Sequence, residues 1–332
     1  MKLETLLQMS DMQAARYLIK SGYLQKQTAC YHCKLGSLTS LAVRGKGVVQ
    51  RCRNRACHKF CSVQVGSPLF WYAKNGASLR QQTGILFAAV WGIPQKFVPA
   101  LIKGVQHKPV DRMYKAWRML VRDYVRTKQD GIKFGHGDTP GEHLDEHEWD
   151  ETAVRKVDEP HHQVLWTEYV MGKRRGDRES LYAEKRAPRQ SRSTRCESGR
   201  VCPPPMTKEE WVAIRGKRVS PGALSHTDGA PAYTSTSPGS YHDSVSHSKQ
   251  GGKKPQWTKL VKHNTPDGKV IATIGGTQCL DGWSAHGKRA TYGVQSGNSK
   301  AIDAHFREEQ WHHWIGDRDR WAAAVDVIQY VP

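Results

Sequence analysis

The sequence predicts an α/β protein that carries two small modules ahead of its main domain, and three observations predict it. Two close cysteine pairs, Cys30/Cys33 and Cys52/Cys57, bracket a stretch rich in Gly and Arg. Apolar residues between Val110 and Tyr124 recur at helical spacing. Beyond residue 145 the pattern turns to short strands, and the last third returns to helical periods. A chain of 332 residues has room for two or three such domains.

The elements follow in order. Residues 1–28 read as one amphipathic helix (Leu3, Leu6, Leu7, Met12, Ala15, Leu18, Ile19) ending near Gly22. Residues 29–70 hold five of the eight cysteines. Residues 79–128 are helical by period, and 129–145 read as a linker of Gly, His, Asp and Pro. The main domain spans 146–330. Gln163–Met171 and Ser180–Lys185 read as a hairpin across the Gly172–Asp177 turn. Residues 187–206 read as an irregular loop, and Thr207 with Glu210 forms a capping box for a helix. Ala223–Asp228 is a short strand ending in Asp-Gly, and 235–255 is a polar stretch. Helices are expected over 276–290, 299–314 and 318–329.

Charge narrows the function classes. The chain carries 51 Lys and Arg against 31 Asp and Glu, a net of +20. Residues 1–135 hold 23 against 5, so nearly all the excess lies there. A module that basic seeks a polyanion, of which nucleic acid is the commonest. An acidic membrane surface is the rival, but it requires an exposed apolar face, and the apolar stripes here read as internal. The longest apolar stretch, Ile85–Trp91, is too short to span a bilayer. No secretory signal opens the chain. With 11 Trp and 12 Tyr there are aromatics enough for cores, so a wholly disordered chain is excluded.

Cys30 and Cys33 form a C-x2-C knuckle, and Cys52 and Cys57 a looser C-x4-C. A tetrahedral zinc ion needs two tight turns facing each other across a hairpin's length of chain, which this spacing supplies. His58 and Cys61 lie close enough to replace Cys57 as the fourth ligand. The bland alternative is unligated cysteines in a reducing cell. Arg51, Arg53 and Arg55 alternate across the second knuckle, where they can face phosphate.

The stripe Val110, Met113, Tyr114, Trp117, Leu120, Val121, Tyr124 leaves Arg112, Lys115, Arg118 and Arg122 on other faces. A shorter helix over 95–103 and a turn at 104–107 precede it. Helix, Gly-containing turn and longer basic helix is the helix-turn-helix arrangement that binds double-stranded DNA. An ordinary helical hairpin with a solvated face is the alternative.

Three acids stand out by context: Asp150 just after the linker, Asp228 at a strand end, and Asp281 at the start of a helix that continues to Lys288 and Arg289. Carboxylates at adjacent strand ends, with one from a nearby helix, can hold two Mg²⁺ or Mn²⁺ ions for phosphodiester cleavage.

Together these segments resemble a known family. The knuckles with Arg51-Cys-Arg53 and Phe60–Phe70 resemble the amino-terminal ribbon of the Merlin superfamily of insertion-sequence transposases. Glu148–Thr152 resembles that family's first-strand pattern. His226–Gly229 with Ala232-Tyr233, then His242 and Val245–Ser248, resembles its second-acid strand and the strand after it. Leu280–Trp283 with Lys288-Arg289 resembles its third-acid helix, and Glu309–Trp311 with Asp317–Trp321 its final helices. The likeness runs from about 29 to 325, each motif degenerate but all in order. It implies a ribonuclease-H-like mixed sheet with flanking helices, and metal-dependent cleavage and strand transfer at transposon ends. Asp150, Asp228 and Asp281 become the catalytic, magnesium-binding triad, with Arg51, Arg53, Arg55, Arg112, Lys115, Arg118, Arg122, Lys288 and Arg289 on DNA. The sequence departs from the family in three respects: Asp281 replaces the usual Glu, 52 residues separate it from Asp228, and the strand around Asp150 is polar (His143, Asp145, Glu146, His147). Asp267 is the next candidate for the third acid.

The expected activity is therefore a DNA transposase acting on double-stranded DNA as a homo-oligomer, in the nucleus of a eukaryote or the nucleoid of a bacterium. The alternative is a domesticated DNA-binding protein that has lost catalysis. A zinc-ribbon RNA-binding factor is a third reading, less suited to a helix fit for a major groove.

Overall fold

The computed structural model describes residues 1–72, 76–136, 144–158, 164–190, 202–246, 254–265, 268–294 and 298–330. His143, Asp267, His247 and Ser248, together with the centre of the expected linker and most of the 187–206 loop, lie outside the described residues. The chain divides into two compact units: Met1–Tyr124 with Asp317–Pro332, and Val125–Gly316.

In the first unit, α1 (Leu3–Gln8) and α2 (Asp11–Lys20) replace the single helix expected over the first residues. The break is chemical: Ser10 caps α2, its hydroxyl accepting from Gln13 N while Gln13 reaches back to Ser10 N. Three short strands follow, β1 (Ala42–Arg44), β2 (Gly47–Arg51) and β3 (Phe60–Ser62), all antiparallel in that order. Helix α3 (Leu79–Val90) is buried on nearly every side, as its continuous apolar run requires. It is followed by α4 (Val98–Leu101) and α5 (His107–Lys128). Gly84 is needed where α3 is crossed closely: a Cβ there would stand 2.9 Å from Leu7 Cδ2 and 3.0 Å from Ile102 Cδ1. The buried face of α5 is Val110, Met113, Tyr114, Trp117, Val121 and Val125; Leu120 and Tyr124, assigned to the stripe, are only half-buried.

The second unit is built on a mixed sheet. Its strands are β4 (Asp145–Asp158), β5 (Val164–Arg174), β6 (Tyr182–Lys185), the short β7 (Arg189–Gln190), β8 (Ala223–Asp228) and β9 (Tyr241–Val245). The order is β6-β5-β4-β8-β9, with β7 also paired to β5. β4, β5 and β6 run antiparallel, while β8 and β9 run parallel to β4. Helix α6 (Lys208–Arg218) stands between β7 and β8 in the chain, capped by Thr207 and Glu210 as expected. A separate hairpin, β10 (Lys259–Asn264) and β11 (Val270–Gly275), precedes α7 (Gln278–Ala290) and α8 (Ser299–Ile315). The last helix, α9 (Arg320–Gln329), belongs to the first unit.

Strand alternation assigns the two faces of the sheet. Trp149 packs edge-on against Trp211 of α6 at 5.2 Å between ring centroids and against Phe134 at 5.2 Å. Its ring lies over Gly172, where a Cβ would meet it at 2.8 Å. The other face carries α7 and α8: Tyr169 stacks on Phe306 at 3.8 Å, and Trp283 meets Phe306 edge-on. The expected linker is partly core. Phe134 is fully buried, and Gln129 accepts from Ala183 N, Arg307 and Gln310.

The hairpin read from Gln163 to Lys185 is present as β5–β6, but β5 runs longer and pairs along most of its length with β4. β9 falls in the stretch read as polar from composition, where the resemblance sets a strand around His242 and Val245.

Candidate functional site

Cys30, Cys33, Cys52 and Cys57 converge with their sulfurs all within 4.8 Å of one another. The Cys30–Cys57 and Cys33–Cys52 separations are 3.8 and 3.7 Å. A tetrahedral ion with bonds of roughly 2.3 Å to sulfur holds adjacent sulfurs about 3.8 Å apart. The cluster can therefore bind a metal such as zinc. Local backbone makes it: Lys34 and His58, each directly after a knuckle's second cysteine, adopt φ of +62° and +46° to turn the chain. Asn54 closes the second knuckle by accepting from Ala56 N through its side chain and from Cys57 N through its carbonyl. Burial opposes ionisation of Cys30, but the backbone N–H groups of Cys33 and His32 prevail and bring its thiol down to about 6. Cys61, open as a fourth ligand from sequence, lies behind the group and donates to Cys30 Sγ at 3.5 Å. His58 instead accepts from Arg51 Nη2 at 3.0 Å.

The basic residues differ in freedom. Arg51, Arg53, Arg55, Arg112 and Lys115 are exposed. Arg112 sits over the Trp71 ring at 4.2 Å and Arg118 over Tyr114 at 5.3 Å. Arg122 is half-buried and paired with Asp123 at 2.6 Å.

The three aspartates come from three elements of the second unit. β4 and β8 pair in parallel from Asp145–Ala223 to Glu148–His226. Carried two residues further, the same offset sets Asp150 level with Asp228. Asp281 lies in the first turn of α7, which packs on β4. Burial first, then the charges of Glu151, Asp228 and Asp281, hold the Asp150 carboxyl well above the usual carboxylate range. Asp228 accepts from Ala230 N at 3.0 Å and Asp281 from the Thr277 hydroxyl at 3.4 Å. Among the described residues none of the three has a cation partner. Asp150, Glu151, Asp281, Ser284, Lys288 and Arg289 line a cavity of about 380 Å³. The three carboxylates are looser than the cysteine cluster. Their fit to a divalent ion rests on a half-buried Asp150 without a cation partner in the field of other acids, and on hard oxygen donors alone.

Around this site runs a polar network that sequence reading did not find. His226 reaches Asp243 Oδ1 through Nδ1 at 3.0 Å and Glu146 Oε2 through Nε2 at 3.3 Å. His263 of β10 donates to Asp243, and Thr273 of β11 to Glu146 at 2.7 Å. Arg175 donates to Glu148 Oε1 at 3.0 Å and to Gly276 O at 2.8 Å. The only sequence signal was the unusual polarity of β4, whose acids here all have partners up to Glu148. The chain matches no protein-family model, no curated protein and no solved structure.

Proposed function

We propose that this chain is a DNA transposase whose second unit is a ribonuclease-H-like catalytic domain and whose four cysteines hold a structural zinc. The observation that carries it is Asp150: a half-buried carboxyl without a cation partner, raised by desolvation and by the field of Asp228 from the adjoining parallel strand and Asp281 from the helix packed on it. The strand order supports the same reading, with three antiparallel strands followed by two parallel ones and the acid-bearing helix after the last. A module that only binds DNA has no use for such acids, since bringing them together without metal is unfavourable.

Divalent ions held by these carboxylates would polarise the scissile phosphate and ready a water for attack. Asp150, within β4, and Asp228, at the end of β8, lie on neighbouring strands, and Asp281 closes the set from α7. Lys288 and Arg289, on the cavity wall, attract the phosphate backbone. Cleavage by water breaks the P–O3′ bond at the element's end; the freed 3′-hydroxyl then displaces a 3′-oxygen in target DNA.

The test uses purified protein, Mg²⁺ or Mn²⁺, and a duplex carrying the DNA ends that flank its own coding sequence. Strand cleavage is expected, and Asp150→Asn, Asp228→Asn and Asp281→Asn should each abolish it with DNA binding retained. Binding without cleavage in either metal would leave the domesticated, non-catalytic reading.

A further inference from the structure

Helix α7 begins without its own cap. Its N-cap residue, Thr277, makes no side-chain hydrogen bond to the first-turn backbone, and its hydroxyl turns instead to Asp281. A helix leaves its first four N–H groups without intrahelical partners, and a buried start must satisfy them elsewhere. Here β4 adds an acceptor: Leu280 N, shared with the Thr277 carbonyl at 3.1 Å, also donates to Glu148 Oε2 at 3.1 Å. A carboxylate at this end also meets the positive pole of the helix.

Glu148 is only 1% exposed, and its second oxygen accepts from Arg175 Nε at 3.0 Å. Arg175 then donates to the carbonyls of Ile274 and Gly276, the residues that lead into α7. One carboxylate and one guanidinium therefore fasten the entry and the first turn of α7 to β4. Glu148 stands two residues before Asp150 on the same strand face, and Leu280 immediately precedes Asp281. The fastening joins the two elements that carry the first and third aspartates, at the residues next to them.

We infer that Glu148 and Arg175 are positioning residues, which set the separation between Asp150 and Asp281 and so the affinity of the site for its divalent ions. The inference rests on the metal-dependent reading above. Groups that orient ligands without touching the metal typically change its affinity by about 10–100-fold when removed.

The experiment measures Mn²⁺ binding to the full chain by electron paramagnetic resonance, and strand cleavage as a function of Mn²⁺ concentration. Glu148→Gln keeps an acceptor for Leu280 N but loses the charge that holds Arg175. It should raise the Mn²⁺ concentration for half-maximal cleavage on the order of 10-fold, with the rate recovered at saturation. Arg175→Lys, which keeps a cation but not the forked geometry, should shift it in the same direction. In an Asp281→Asn background Glu148→Gln should cost no further Mn²⁺ affinity, because its effect passes through Asp281. An unchanged Mn²⁺ dependence in both variants overturns the inference, as does a full additional loss in the Asp281→Asn background, which would make Glu148 a ligand itself. A parent protein that neither binds Mn²⁺ through its aspartates nor cleaves would instead defeat the underlying functional reading. Circular dichroism and thermal melting that match the parent's serve as the check that the second unit of each variant is folded.

Discussion

At the scale of single residues, the strongest consequences concern Cys57 and Asp145. Cys57 occupies the fourth position of the sulfur cluster, with Cys61 behind it. Cys57→Ser should lose zinc measured by metal analysis, while Cys61→Ser should retain it; the reverse result would exchange their roles. Asp145 is 5% exposed and bound by Arg174 through two bonds of 2.6 and 2.8 Å. Burial raises its carboxyl, but Arg174 and Gly135 N outweigh that and hold it below the usual 3.8. A carboxyl lowered on folding contributes stability above its unfolded value, and that stability is lost as pH falls through the folded one. Asp145→Asn should therefore cost roughly 2–3 kcal/mol at neutral pH, at the low side for a buried pair because Arg174 is partly exposed. In denaturant titrations the gap between variant and parent should shrink as pH drops below about 4.

At the scale of elements, α5 carries a graded set of cations. Arg112 and Lys115 are exposed, whereas Arg122 is spent on Asp123. Replacing Arg112 and Lys115 together with Gln should lower the salt slope of DNA binding by about 1.8, at about 0.9 per phosphate contact. Arg122→Gln should barely move it, and equal slopes for the two variants would refute the assignment. The helices were legible because their apolar period is long; the 299–314 segment is read to within a residue of α8. β8 was legible from its terminal Asp-Gly. The break between α1 and α2 was hidden because the stripe continues across it while Ser10 and Gln13 end it locally. β4 was hard to read because Asp145, His147 and Glu148 look like surface residues, yet they are buried with partners such as Ser225, Arg174 and Arg175. The β10–β11 hairpin was missed because its alternation mixes Lys, His and Thr with apolar residues, and its inward polar side chains serve the network rather than a core. The aspartates were singled out from context, Glu148 entered only as the first residue of a strand pattern, and Arg175 gave no sequence signal beyond its charge.

At the scale of the whole molecule, the basic unit is assembled from both ends of the chain. Trp321 of α9 stacks on Tyr23 at 4.3 Å, donates to Tyr17 Oη at 2.7 Å, and lies against Phe87. Removing a buried tryptophan side chain from a core costs about 3–5 kcal/mol. A fragment ending near Gly135 should therefore melt well below the full chain and bind DNA poorly. Joining residues 317–332 to it through a flexible linker should restore both. Equal melting temperatures for the two fragments would show that α9 contributes nothing to the unit.

That closing helix also sets a schedule for synthesis. A ribosome makes the cysteine ribbon and the basic helix long before Trp321, which packs on Tyr23 and Phe87 of the same unit. A nascent chain thus holds its basic surface on an incomplete scaffold. Only a polypeptide translated through the second unit acquires a finished first one, so folding of the basic unit waits on synthesis of the other.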